Sequence, residues 1–196
     1  MRGLGIMVMS AAVAAAVAAA SVDAGQDRRR TQTAPEAFNS PLQAKTEQGA
    51  AAAAIHLQID RYTPEGERKK ITDALRANGY AGALAALRAA PAVGHVAIGE
   101  SQVPLRWARE QTTAKGRAIT LVTDAPLYFV GGGAAKAKPR DGFEVAIIQL
   151  AVDDYGLGTG TMAAAARFKS DGAGSVVVED YAEAPIRLTS VHRVIK

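Results

Sequence analysis

The sequence predicts an α+β fold: a curved antiparallel sheet of about seven to nine strands with a two-helix hairpin packed on one face. Three observations carry that expectation. Apolar residues fall at helical spacing only between Thr63 and Ala90, in two adjoining runs. From Val93 onward, short apolar runs are separated by turn residues, as at Lys115-Gly116, Asp141-Gly142 and Asp171-Gly172. These connections are too short for parallel crossovers, which need about a dozen residues or more, so neighbouring strands are expected to run antiparallel. With 196 residues, 48% hydrophobic and 21% charged, the chain suits one domain with a core of ordinary size.

The N-terminus reads as an export signal over residues 1–20. Arg2 supplies the positive end, Ile6 to Ala20 is uncharged, and Ala18-Ala19-Ala20 before Ser21 offers small residues for cleavage, with Val22-Asp23-Ala24 as a second site. Fifteen residues of helix span about 22 Å, short of the roughly 30 Å of bilayer hydrocarbon, so no stable membrane insertion is expected after cleavage. The expected address is periplasmic or extracellular. Residues 21–54 read as a disordered linker, polar and without an apolar period, with Pro35, Pro41 and an alanine tract from Ala50. A single α+β domain is expected over 55–196.

That domain should open with a half-buried strand, since Ile55, Leu57 and Ile59 alternate with His56, Gln58 and Asp60. Thr63-Pro64 then reads as an N-cap and first helical residue, with Glu65 and Glu67 at the positive end of the helix dipole. Ile71, Ala74 and Leu75 make the buried stripe of the first helix, and Asn78-Gly79 ends it. A second helix, Tyr80 to Ala90, presents Tyr80, Leu84 and Leu87, and Pro91 stops it. Strand candidates follow at 93–98, 103–111, 116–123, 127–130, 143–153, 159–168, 175–181 and 186–194. Val145 to Val152 is apolar on both faces and should be covered on both. The small residues Thr161 to Ala166 predict close packing on a neighbour.

The runs Leu105-Arg106-Trp107-Ala108-Arg109-Glu110, Gly116 to Asp124, Asp153 to Gly160 and Glu179 to Leu188 are similar to those of a group of uncharacterised secreted bacterial proteins. The resemblance covers residues 55–196. It implies export and a small domain, and it transfers no catalytic residue.

Several chemistries are excluded by composition. Without cysteine there is no disulfide, thiol nucleophile, iron–sulfur cluster, Cys-ligated zinc or lipid-anchored cysteine. His56, His95 and His192 form no i, i+4 pair, so neither a metal nor any other cofactor is expected. Asp153-Asp154-Tyr155-Gly156 lacks the alternating acidic ligands of a calcium loop and reads as a turn. Gly156 to Gly160 misses the dinucleotide fingerprint, and Gly131-Gly132-Gly133 with Lys136, Lys138 and Arg140 reads as a solvated hairpin tip. Removing Arg2 with the signal lowers Lys+Arg from 23 to 22 against 19 Asp+Glu, a net charge of +3 that includes the run Arg28-Arg29-Arg30. With 5% aromatic residues, that excludes a nucleic-acid surface.

One constellation points to binding. Trp107 and Arg109 share a strand face with Leu105, and an arginine beside an apolar stripe needs a carboxylate. Asp124 and Glu144 are the candidate partners, and together these residues would floor a site for a small polar ligand. A core tryptophan with a rim ion pair is the competing reading. The expectation is therefore an exported, non-catalytic domain that binds a protein or small polar ligand. One alternative is an envelope or extracellular hydrolase using carboxylates, or Ser101 with a histidine. The other is a structural envelope component tethered by its N-terminal tail.

Overall fold

Among the described residues, successive strands pair from the first to the eighth, and the ninth pairs with the first and the seventh. A computed structural model describes residues 34–46, 49–127, 141–172, 174–182 and 185–194. The signal segment, the arginine run, the glycine-rich tip and most of the 127–130 candidate lie outside the described residues. The elements are β1 (Glu36–Thr46), β2 (Gly49–Ile59), α1 (Glu65–Ala89), β3 (Gly94–Ile98), β4 (Ser101–Thr113), β5 (Gly116–Thr123), β6 (Val145–Val152), β7 (Leu157–Ser170), β8 (Val176–Tyr181) and β9 (Ile186–Arg193).

The spatial order is β6-β5-β4-β3-β2-β1-β9-β7-β8, and a further pairing of β6 with β7 closes the ring. All pairings are antiparallel. Within the long β7, residues 166–170 pair with β8 and residues 157–162 with β9, so β8 and β9 act as two halves of one stave. The result is a closed eight-stranded antiparallel barrel with one helix, not the open curved sheet with a two-helix hairpin that the sequence predicts. Closure removes the two unpaired edges that an open sheet would present to water and to other chains.

The fold also begins earlier than expected. Residues read as the end of a linker form β1, which pairs with β2 from Glu36↔Ile59 to Thr46↔Gly49 and with β9 at Phe38↔Arg193. The physical reason is visible in β1 itself. Its inward face carries Glu36, Phe38, Ser40 and Leu42, all buried, so two polar residues interrupt the apolar period that would mark a strand.

Two apolar clusters result. Phe38, Leu57, Leu105, Leu121, Ile148 and Leu188 belong to the set that fills the barrel. Outside, Ile71, Leu84 and Leu87 of α1 pack on Trp107, Val122, Ile147 and Phe168. Burying each of the large side chains contributes roughly 1.5–3 kcal/mol relative to exposure. β6 serves both clusters, with Ala146, Ile148 and Leu150 inward and Val145 and Ile147 under the helix, whereas Gln149 and Ala151 further along the outer face are half-buried and exposed. β7 lies so close to β6 that a Cβ on Gly158 would stand 1.9 Å from the Ala151 carbonyl oxygen.

The helix enters through Thr63, though not as its cap. Thr63 exchanges hydrogen bonds with β4 instead: its N–H donates to the Ala108 oxygen at 2.8 Å, and its Oγ1 accepts the Ala108 N–H at 2.8 Å. Pro64 stands at the N-cap position with no side-chain cap. The expected stop at Asn78-Gly79 is present as a break inside one helical element, since Gly79 has φ 64° and ψ −161°. Among the described residues, no helix is long and apolar enough to cross a membrane.

Candidate functional site

The residues singled out from sequence are dispersed by one β-bulge. Leu105 pairs with Thr123 but Trp107 pairs with Val122, so Arg106 is an extra residue in β4. The bulge turns Leu105 into the barrel and Trp107 out beneath α1, where the indole is fully buried. Its Nε1–H has no hydrogen-bond partner. Arg109 lies 3.7 Å from Asp171 rather than beside Asp124 or Glu144. Arg68 of α1 is near enough that burial and the Arg109 charge together depress its pKa.

Asp124 instead holds the bulge residue. Arg106 Nε is 2.7 Å from its Oδ2, and Arg106 Nη1 donates to the Ala90 carbonyl at 2.9 Å. This pair fastens the C-terminal end of α1 to the rim of β4 and β5. Glu144 has a third location. Its Oε1 accepts the Gly142 N–H at 3.0 Å, while Oε2 is buried with no partner. Thus the structure keeps Trp107 and Arg109 on one part of α1 and leaves Glu144 elsewhere, at a cleft.

That cleft has a volume of about 520 Å³ and lies between the second half of α1 and β7. Asn78, Tyr80, Leu84, Arg88, Glu144 and Arg167 are among the residues that line it. The Arg167 guanidinium sits 5.2 Å from the centre of the Tyr80 ring, and its Nε is 2.9 Å from Glu179 Oε2. The Tyr80 ring meets Phe168 edge-on at 5.3 Å, which fixes its plane. Burial raises the Tyr80 pKa, and the Glu144 charge adds to it, so the phenol remains a hydrogen-bond donor at neutral pH. Arg88 Nε reaches the Asp124 carbonyl at 3.4 Å. The cleft therefore offers a phenol, two guanidinium groups, an amide and a carboxylate on an apolar floor. Sequence reasoning placed Tyr80 in a core stripe and passed over Arg88 and Arg167. The signal that was available is the Asn78-Gly79-Tyr80 break, an irregularity within a helix beside polar residues.

A second charged group lies inside the barrel near one end, and sequence reasoning missed it too. Arg117 makes a two-pronged pair with Glu36, Nη1 to Oε1 and Nη2 to Oε2, each at 3.0 Å. Its Nη1 also meets Glu110 Oε2 at 2.5 Å. Tyr62 donates a short hydrogen bond to Glu36 Oε1, and Arg193 Nε is 3.4 Å from Oε2. Burial alone would raise the Glu36 pKa, but the Arg117 and Tyr62 hydrogen bonds and the two arginine charges outweigh it and hold the carboxyl below its ordinary value. Burial opposes the charge on Arg117 as well, and its bonds to Glu36 and Glu110 raise its pKa regardless. The side chains of Glu36, Glu110 and Arg117 are 0%, 4% and 7% exposed, so this group is enclosed. It is a structural lock rather than an open site.

Among the described residues, no group of three or more His, Asp or Glu is placed to hold one metal ion. Compared with protein-family models, curated proteins and solved structures, the chain matches none.

Proposed function

We propose that this chain is an exported, non-catalytic binding module that holds a small polar ligand in the cleft beneath the second half of α1. The observation that carries the reading is the convergence of Tyr80, Arg88, Glu144 and Arg167 on one cleft beside Leu84. The volume lies within the roughly 300–1,000 Å³ of small-molecule sites. The export part of the reading rests on Met1 to Ala20 and on the resemblance to secreted proteins.

The alternatives find less support. A hydrolase would need a reachable nucleophile or carboxylate pair. Ser101 lies exposed beside the β3–β4 turn, while Glu36 and Glu110 are enclosed on Arg117. The structural reading needs the N-terminal tail as a free tether, but residues 36–46 of it form β1 and residues 49–54 open β2.

Ligand-observed NMR on the processed protein tests the proposal, using mixtures of amino acids, amino sugars and small carboxylic acids. At least one compound should bind saturably, and Glu144→Gln and Arg167→Ala should each weaken it about tenfold or more, equivalent to about 1.4 kcal/mol. Binding that ignores both substitutions, or no saturable binding across the set, overturns the reading.

A further inference from the structure

We propose that His56 and His95 form a two-imidazole site for a divalent transition-metal ion on the outer face of β2 and β3, with Asn39 as its positioning residue. The three histidines of the sequence, scattered over more than a hundred residues, converge on neighbouring strands of this barrel face. His192 of β9 is opposite Asn39 of β1, Asn39 is opposite His56 of β2, and His95 of β3 lies diagonally across from His56. His56 points outward because it alternates with the buried residues Ile55 and Leu57.

The pair has the spacing that a shared ion needs. Its ring centroids are 6.1 Å apart at an interplanar angle of 43°. Two imidazoles bound to one ion at about 2.0–2.1 Å have centroids about 5–6 Å apart, so a small ring rotation suffices. Ala97 is the residue directly opposite His56, and its methyl leaves room for the rings to approach. Gln58, opposite His95, is turned to Asp60, with Nε2 donating to Oδ1 at 3.2 Å.

Asn39 supplies the second, independent observation. His56 Nδ1 lies 2.7 Å from Asn39 Oδ1, and because an amide oxygen only accepts, the contact is a hydrogen bond in the tautomer with the proton on Nδ1. That bond keeps the proton on Nδ1 and leaves the Nε2 lone pair free, the tautomer that a metal-binding imidazole needs. The same contact fixes the ring plane before any ion arrives. Because no third His, Asp or Glu completes the set among the described residues, the remaining coordination positions are left to water or to a donor on another molecule. Imidazole ligands in an open site favour Cu²⁺, then Ni²⁺ and Zn²⁺, over Mg²⁺ or Ca²⁺. This site is on the face opposed to neither the helix nor the cleft, and it stands or falls independently of the ligand proposed there.

The test is titration of the untagged processed protein with CuCl₂, NiCl₂, ZnCl₂ and MgCl₂, followed by calorimetry and by the histidine ring signals in NMR. The expected result is one Cu²⁺ per chain at micromolar affinity, with weaker Ni²⁺ and Zn²⁺ and no Mg²⁺ binding. His56→Gln and His95→Gln should each weaken Cu²⁺ at least tenfold, while His192→Gln changes it less than twofold. Asn39→Ala should weaken it about tenfold through lost orientation, with both histidine signals still shifting at saturation. Circular dichroism of each variant separates these effects from unfolding. Binding unchanged in His56→Gln or His95→Gln, binding that follows His192, or no Cu²⁺ binding at millimolar concentration overturns the proposal.

Discussion

Arg117 shows how one residue can tie distant parts of a chain together. Its guanidinium holds Glu36 from the first strand and Glu110 from the fourth, and all three side chains are nearly excluded from water. Replacing it by Met leaves two buried carboxylates facing each other, so Arg117→Met should cost about 3–5 kcal/mol in urea denaturation. The same group predicts an acid limb to stability. The Glu36 carboxyl is held below its ordinary value in the folded state, so the unfolded chain binds its proton more readily. Its contribution is complete above the unfolded pKa near 4.3, and it is lost as pH falls through the lower folded value. Urea midpoints measured between neutral and acid pH should therefore fall below about pH 4.5, and Glu36→Gln should flatten that fall. None of this was legible in the sequence, because Glu36 stood in a stretch without apolar period and only the fold brings it to Arg117. The Trp107 and Arg109 pair was legible as residues worth weighing. Its surroundings were not, since a single extra residue at Arg106 reverses the faces and no local pattern marks it.

Among elements, α1 is where sequence and structure agree most closely and then part. Of the two predicted stripes, Ile71, Leu84 and Leu87 are buried while Ala74, Leu75 and Tyr80 are half-buried, and the break falls at Gly79. A hairpin was expected because Asn78-Gly79 is a strong stop signal. The outer cluster is the reason the element continues, since Ile71 and Leu87, on either side of the break, both lie on the same apolar barrel face. Gly79 combines positive φ with an extended ψ, a region open essentially to glycine alone. A Cβ there would meet nothing within 4 Å, so Gly79→Ala isolates backbone strain and should cost about 1–3 kcal/mol in thermal or urea unfolding. The cleft residue Tyr80 follows directly, so the same substitution should also weaken any ligand held there.

At the scale of the molecule, antiparallel order was readable from turn spacing and closure was not. The β3–β4, β4–β5 and β6–β7 pairings are local and leave a trace in turn residues, while α1 separates β2 from β3 and residues 124–144 separate β5 from β6. The ring also needs the β1–β9 pairing of Phe38 with Arg193, and residues so far apart carry no mutual signal in one sequence. Closure also determines where function is sought. With the interior filled by Phe38, Leu57, Ile148 and their neighbours, binding surfaces move to the outer wall: the cleft against α1 on one side and the histidine pair on the other. The most direct measurement is native-state hydrogen exchange of the full chain, read at the β1 amides of Phe38 and Leu42 and compared with Ile148 of β6. A closed barrel requires these to exchange only through global unfolding, with equal free energies and equal dependence on denaturant. Fast exchange in β1 while β6 stays protected would contradict closure and return residues 36–46 to the status of a tail.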